Sequence, residues 1–335
     1  MTRSIRHFLL AAGVLAGFTL PAPLRAEVKE VNLSQQFGVS FLPLMVMENQ
    51  KLIEKQAASR GIADLKANWT KMAGPSVMTD ALLSGSLQYS AQGAPSVGLL
   101  WDKTKGQIKG VSGICDYPLT LMTRNKDAKS VKDLTDKDRI AVPSVKVSTQ
   151  AIMLQMLAER EFGPGQHYKL DPLTVGLAHP DAMAAVLNPA GEVNAHFATS
   201  PFTEIELKAG LRPLITSYDI LGGQATALVL MTADKFRTEN PKTHESVLAA
   251  LDEAIQWIYA DKPRAAALYL QMTGDRKSTV EETLAGINVP GFEYTRTPHK
   301  VFKTVEFMSR IGSVKSKPAS WKDLFFSEAH SFNGD

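Results

Sequence analysis

Apolar and polar residues alternate from Val28 to Leu33, the period of a strand with one buried face. The alternation breaks at Gln35-Gln36-Phe37-Gly38. Leu42-Pro43-Leu44 then opens a helix with proline in its first turn, running through Leu52-Ile53 to a stop at Gly61. The pattern predicts further strands over 65–72, 87–91, 108–114, 119–124, 139–143, 173–175 and 227–231. Between them, helical runs are predicted over 77–84, 151–157 and 181–187, with another starting at Pro201. Beyond 231 the chain reads as almost wholly helical, over 241–259, 263–272, 279–286 and 298–311, with a short element at 320–326. Strands alternating with helices predict an α/β fold built on mostly parallel sheets.

One segment is echoed. Gly85-Ser86-Leu87-Gln88-Tyr89-Ser90 leads through Gln92-Gly93-Ala94 to Pro95, and Gly191-Glu192-Val193-Asn194-Ala195-His196 leads through Thr199-Ser200 to Pro201. Glycine and proline lie ten residues apart in both copies, and each copy follows a helical run. Each reads as helix, tight turn, short buried strand, then a loop ending where proline starts the next helix. Two such units predict two similar lobes whose strand-end loops face each other across a cleft, the side of open α/β sheets on which ligands sit.

Charge and leader change this picture little. Arg3 and Arg6 precede an apolar run from Phe8 to Leu20, and the segment ends at Ala26, the pattern of a secretory signal peptide over 1–26. Export to a periplasm is therefore expected. The 37 Lys and Arg against 34 Asp and Glu include Arg3, Arg6 and Arg25 of the leader, leaving 34 against 34 in the mature chain. That balance offers no basis for nucleic-acid binding. The single cysteine, Cys115, excludes an intramolecular disulfide and carries no motif of a nucleophile. Walker, GxSxG and HExxH motifs are absent. Neither an enzyme activity nor a cofactor nor a metal site is expected.

Four segments, in order, resemble one family. They are Gln36-Phe37-Gly38 with Leu42-Pro43-Leu44, then Ala81-Leu82-Leu83-Ser84-Gly85-Ser86-Leu87-Gln88, then Asp133-Leu134 with Ile140-Ala141-Val142-Pro143, and Gly191-Glu192-Val193-Asn194-Ala195 with Ser200-Pro201-Phe202. The chain resembles the periplasmic substrate-binding proteins of ABC transporters, in the branch that takes aliphatic sulfonates, taurine, nitrate and thiamine pyrimidines. The resemblance implies a two-lobed fold of the type II-like kind: a first lobe over 27–116 and 223–335, and a second over 117–222. Links would lie near Asp116-Tyr117 and Gly222-Gly223, glycines suiting a hinge. It implies a monomer that binds a small solute, sulfonate- or taurine-like, by lobe closure and passes it to an inner-membrane permease. A pyrimidine precursor, nitrate, a carboxylate or a freestanding sensor role are the alternatives.

Capture of a small anion needs donors aimed at one point, which helix N-termini supply. Gly74, Pro75 and Ser76 form one such start, Ser144, Ser148 and Thr149 lie at starts in the other lobe, and Gln92, Gly93, Ala94, Thr199 and Ser200 form the two echoed loops. Each hydroxyl serves equally well as a plain N-cap. Gln36, Phe37 and Gly38 form the opening loop, Phe37 offering a face to an organic ligand, or to the core. Lys146 is the basic residue of these loops, either a counter-charge or a solvated lysine. His196 reads as structural, and Asp116 and Tyr117 stand at the crossover.

Overall fold

A computed structural model describes residues 26–276 and 278–335, so the expected leader lies outside the described residues except for Ala26. In chain order the strands are β1 (Glu30–Gln35), β2 (Lys66–Lys71), β3 (Tyr89–Gln92), β4 (Ile108–Asp116), β5 (Thr120–Thr123), β6 (Ile140–Val142), β7 (Thr174–Gly176), β8 (Ala195–Ala198), β9 (Arg212–Thr216) and β10 (Thr226–Ala233). They form two five-stranded sheets, ordered β2-β1-β3-β10-β4 and β7-β6-β8-β5-β9. β1 runs parallel to β2 and β3, while β10 opposes β3 and β4. β6 runs parallel to β7 and β8, while β5 opposes β8 and β9. Four of the five strands in each sheet thus share a direction. The opposing strand is in each case the one that arrives from the other sheet.

The two sheets have the same topology, and the echoed segments occupy the same place in it. β3 and β8 are the central strands, and each leads into a helix, Ala94–Lys103 and Phe202–Lys208. The chain crosses once through Tyr117-Pro118-Leu119 and back between Leu221 and Thr226, where Gly222 and Gly223 have φ of 78° and 139°. Asp116 ties the crossings together. Its carboxylate accepts from Thr226 Oγ1 at 2.9 Å and from Gln224 Nε2 at 3.0 Å, and lies 2.5 Å from His299 Nδ1.

The C-terminal helices return to the first sheet. Helix Pro241–Ala260 places Val247, Leu251, Ala254 and Ile258 on one fully buried stripe, the spacing of a helix with a single apolar face. It packs on the helices Leu42–Asn49 and Leu52–Ser59. Those two were expected as a single helix over 42–61. The chain instead breaks at Lys51, whose φ of 49° no continuous helix accommodates. β9 was not anticipated; it contains Pro213 and is an edge strand, the place in a sheet where proline is tolerated.

The last turn of the chain fastens onto β4. Phe326 N–H donates to Gly110 O at 2.9 Å, and the buried Phe325 ring covers Gly110. A Cβ at position 110 would come within 2.6 Å of Phe325 Cδ1 and 2.9 Å of Val229 Cγ1. Gly110→Ala is therefore expected to destabilise the fold by about 1–3 kcal/mol through overpacking, read as a lower urea midpoint with unchanged slope. An unchanged midpoint would show that the C-terminal turn moves aside without cost.

Candidate functional site

Across the cleft between the two sheets, three glycines are approached so closely that a side chain would meet the other lobe. A Cβ at Gly74 would stand 2.7 Å from Pro143 O, and one at Gly93 would overlap Thr149 Oγ1. Gly38 sits at φ 109°, where its Cβ would be 3.1 Å from Ser200 O. The neighbouring Val39 N–H donates to that same carbonyl at 3.1 Å. The lobes are thus closed on each other. Gly74 and Gly93, with φ of −171° and −75°, occupy backbone conformations open to any residue, so proximity alone requires glycine there.

Between the lobes lies a partly open cavity of about 50 Å³, room for roughly three to five water-sized centres at about 10–15 Å³ each. The first sheet's loops contribute Gln36, Phe37, Ser40, Phe41, Pro75, Gln92, Gly93, Ser96, Ala227 and Leu228 to its wall, and the second sheet's side contributes Leu119, Pro143, Ser148, Thr149, Gln150, His179 and Thr199. No Lys, Arg, Asp or Glu is among them, and His179 is the one titratable lining residue.

Five helices begin at this wall. Phe41 is the N-cap of Leu42–Asn49, Pro75 the first residue of Pro75–Leu83, and Gly93 the N-cap of Ala94–Lys103. Ser148 and Thr149 start Thr149–Phe162, and His179 starts His179–Leu187. Their dipoles bring partial positive charge to one small volume. Ser40 Oγ and Thr199 Oγ1 are buried hydroxyls with no hydrogen-bond partner among the described residues, and both belong to lining residues. Two other polar groups of the wall are committed. Ser148 caps its helix by accepting from Ala151 N–H at 3.3 Å and donates to Ser144 O at 2.8 Å, while Gln92 Oε1 accepts from Thr79 Oγ1 at 3.1 Å.

Of the residues singled out in the sequence, the cavity wall holds Gln36, Phe37, Pro75, Gln92, Gly93, Ser148, Thr149 and Thr199. Gly38, Gly74, Ser144 and Ser200 meet instead at the contacts between the lobes. Ala94 is buried in the core behind the wall. Ser76 is exposed on the outer side of its helix, and Lys146 is exposed at φ 63°, its charge acting on Asp171. Asp116 and Tyr117 serve the crossover, outside the wall. Burial pushes the Cys115 thiol up, leaving it inert.

Sequence reasoning missed Ser40, Phe41, Ser96, Leu119, Gln150 and above all His179. Behind His179 runs a buried chain. His179 Nδ1 lies 2.8 Å from His196 Nε2, and His196 Nδ1 lies 2.5 Å from Glu206 Oε1. All three residues are buried. Burial pushes Glu206 up to about 8 and His196 down to about 3, and desolvation together with His196 holds His179 well below its ordinary value. At neutral pH the His196–Glu206 contact is accordingly between an uncharged imidazole and a protonated carboxyl. Proline after His179 and the apolar helix that follows were the only local signal, and they read as an ordinary helix start.

The profile of the NMT1-like family matches residues 24–272, well over half of the chain. The chain belongs to the NMT1-like family. No curated protein sequence matches it. Among solved structures, the NMT1-like chain is similar to the alkanesulfonate-binding protein SsuA of Xanthomonas axonopodis pv. citri, bound to MOPS, with TM-score 0.67 at 18% identity, covering 92% of this chain and 100% of the other. SsuA of Escherichia coli aligns at TM-score 0.66 and 18% identity, over 90% and 93% of the two chains. The nitrate-binding protein NrtA of Synechocystis PCC 6803 aligns at 0.67 and 17%, over 91% and 86%. These likenesses show the fold, that of the two-lobed periplasmic binding proteins.

The close approaches make a prediction. In the double variant Gly74→Ala, Gly93→Ala the new methyl groups suit the local backbone but not the opposite lobe. The variant is expected to fold and to hold its lobes apart, giving by small-angle scattering a larger radius of gyration than the wild type under the same conditions. An identical radius would show that closure tolerates the added carbons.

Proposed function

We propose that this chain is the solute-binding component of an ABC importer and captures a small organic monoanion, a short-chain sulfonate, between its lobes. The observation that carries the reading is the convergence of five helix N-termini on a cavity without a charged lining side chain. Each dipole end favours an anion by about 0.3–1 kcal/mol, more where water is excluded. With no fixed cation to match, a single delocalised charge fits and a multiply charged ion does not. Ser40 Oγ and Thr199 Oγ1 supply unpaired donors from opposite lobes, so an anion bridging them favours closure. Phe37, Phe41, Leu119 and Leu228 form an apolar flank for a short alkyl group.

The cavity's small volume favours nitrate as a second reading. Carboxylates and pyrimidine precursors come behind both. No acidic group lines the cavity to meet an ammonium, so ethanesulfonate should bind more tightly than taurine. Delivery follows from the same geometry: the closed, loaded form is the one the inner-membrane permease would distinguish from the open form. Export of the chain to the periplasm belongs to this reading.

Thermal-shift and calorimetric titrations with ethanesulfonate, taurine, nitrate, acetate and a thiamine pyrimidine test the proposal, because a ligand of the folded state raises the midpoint. Ethanesulfonate is expected to bind, and Ser40→Ala and Thr199→Ala each to weaken it roughly tenfold to a hundredfold. Ser76→Ala and Lys146→Ala, outside the cavity wall, are expected to leave affinity unchanged. Tightest binding of the pyrimidine, or insensitivity to both Ser40 and Thr199 substitutions, would overturn the reading.

A further inference from the structure

The chain of buried groups behind the cavity has two self-consistent hydrogen-bond arrangements. Each of its two contacts holds one proton, and each neutral imidazole carries one N–H. With Glu206 protonated, its O–H donates to His196 Nδ1, His196 Nε2–H donates to His179 Nδ1, and His179 keeps its proton on Nε2. With Glu206 ionised, every donor reverses: His196 Nδ1–H donates to Glu206, His179 Nδ1–H donates to His196 Nε2, and His179 Nε2 carries a lone pair. Because Nδ1 is turned toward His196, Nε2 is the ring atom left to the cavity side, where the Gln150 amide stands at a long 3.4 Å: its Nε2 donates to an Nε2 lone pair, and with the amide turned over its Oε1 accepts from Nε2–H. The proton on a carboxyl two residues removed from the cavity thereby sets whether its wall offers a donor or an acceptor at His179.

We propose that Glu206 is a proton store coupled to ligand capture: an anion in the cavity selects the arrangement with Glu206 protonated and His179 donating, so that binding at alkaline pH takes up one proton from solvent. His196 and Glu206 are positioning residues in this scheme, and His179 is the contact. The inference rests on reading the cavity as an anion site.

The surroundings of Glu206 support it. The carboxyl is fully buried, and its Oε2 has no hydrogen-bond partner among the described residues. On its own helix the nearby acidic residue is Glu204, half-buried, whose proton affinity Glu206 raises. Lys208 on that helix is turned to Glu282 of helix Val280–Ile287, at 2.8 Å. From β9, Arg212 donates to the carbonyls of Asn125 and Ala128, and β5 brings no titratable side chain. On helix His179–Leu187 the second titratable residue is Asp181, which is exposed. His196 of β8 is the one described group within ion-pair distance of Glu206. Tyr89-His244-Glu328 and His299-Asp116 repeat the histidine–carboxylate pairing elsewhere, but neither touches the cavity wall.

The sign follows from linkage. A carboxyl held protonated up to about 8 costs nothing to the donor arrangement below that pH. Above it, the anion must first draw a proton onto Glu206, and affinity falls by roughly tenfold per pH unit. Two measurements on the full mature chain test this. In long-range proton–nitrogen spectra of histidine-labelled protein, His179 and His196 are expected to change together from Nε2–H to Nδ1–H as pH rises through about 8. In Glu206→Gln both should keep one tautomer at every pH. A constant tautomer in the wild type, or a shift persisting in Glu206→Gln, overturns the proposal, and the wild-type spectra decide it alone if the variant does not fold.

The second measurement is calorimetry with ethanesulfonate and with nitrate at about one pH unit above the midpoint, in phosphate and in Tris. Wild type should show proton uptake approaching one per anion, and Glu206→Gln none. Binding whose enthalpy is independent of buffer overturns the coupling while leaving the anion site intact. Failure of both anions to bind at any pH overturns the anion site itself, and the coupling with it.

Discussion

Everything in the cleft depends on how closely the glycines of one lobe approach the atoms of the other. At Gly74 and Gly93 the opposing atoms stand where a side-chain carbon would be, and Gly286 meets Ser200 Oγ in the same way on the helical side. Ion pairs also cross the seam, Arg310 with Glu159 at 2.6 Å and Lys208 with Glu282 at 2.8 Å. Their cationic ends are well exposed, and such pairs contribute little. The steric fit at the glycines decides where the lobes stop, and hence how large the cavity is and which helix starts can share one ligand.

That geometry explains an otherwise odd feature, a polar cavity without a charge. Helix ends contribute partial charges that cannot be mutated away singly and that need no desolvated cation. A lysine or arginine in so small a space would demand a permanent counter-ion in the ligand-free protein. A wall of hydroxyls, amides and helix ends instead leaves the empty site tolerable and, in the anion-binding proposal, the loaded one favourable. Histidine is the exception, and it is kept neutral by burial.

Three histidines within hydrogen-bonding distance of a carboxylate, among the described residues, mark three different jobs. His299 with Asp116 joins the strands that cross between lobes, and His244 with Tyr89 and Glu328 ties the C-terminal turn to the first sheet. In both, hydroxyl, amide or guanidinium partners also surround the carboxylate. Among the described residues Glu206 has only His196, and its second oxygen has no partner. The difference in partners, rather than in residue type, separates a structural pair from one poised to change protonation.

Much of the architecture was legible in the chain. The alternation at Val28 to Leu33, the apolar runs of the short strands and the proline-led helix starts follow from local stereochemistry. The echo of Gly85–Pro95 at Gly191–Pro201 marked two equivalent strand-and-loop units, and both strands are central in their sheets. The break at Lys51 and the edge strand over Arg212–Thr216 were hidden, since both are tolerated only by what packs around them. The site divided in the same way. Pro75, Gly93, Thr149 and Thr199 were recognisable as helix starts and loop ends, and they line the cavity. Ser76 was as good a candidate by sequence, yet one step along a helix rotates a side chain by about 100°, and Ser76 faces solvent. His179, His196 and Glu206 carry no shared local pattern; only the packing of helix His179–Leu187 on β8 and on helix Phe202–Lys208 brings them into line. Periodicity in a sequence reports which face of each element is apolar, because that is set by the residue's own side chain. Which element faces which, and how near, is decided by long-range packing, and the chemistry of this cleft resides in those distances.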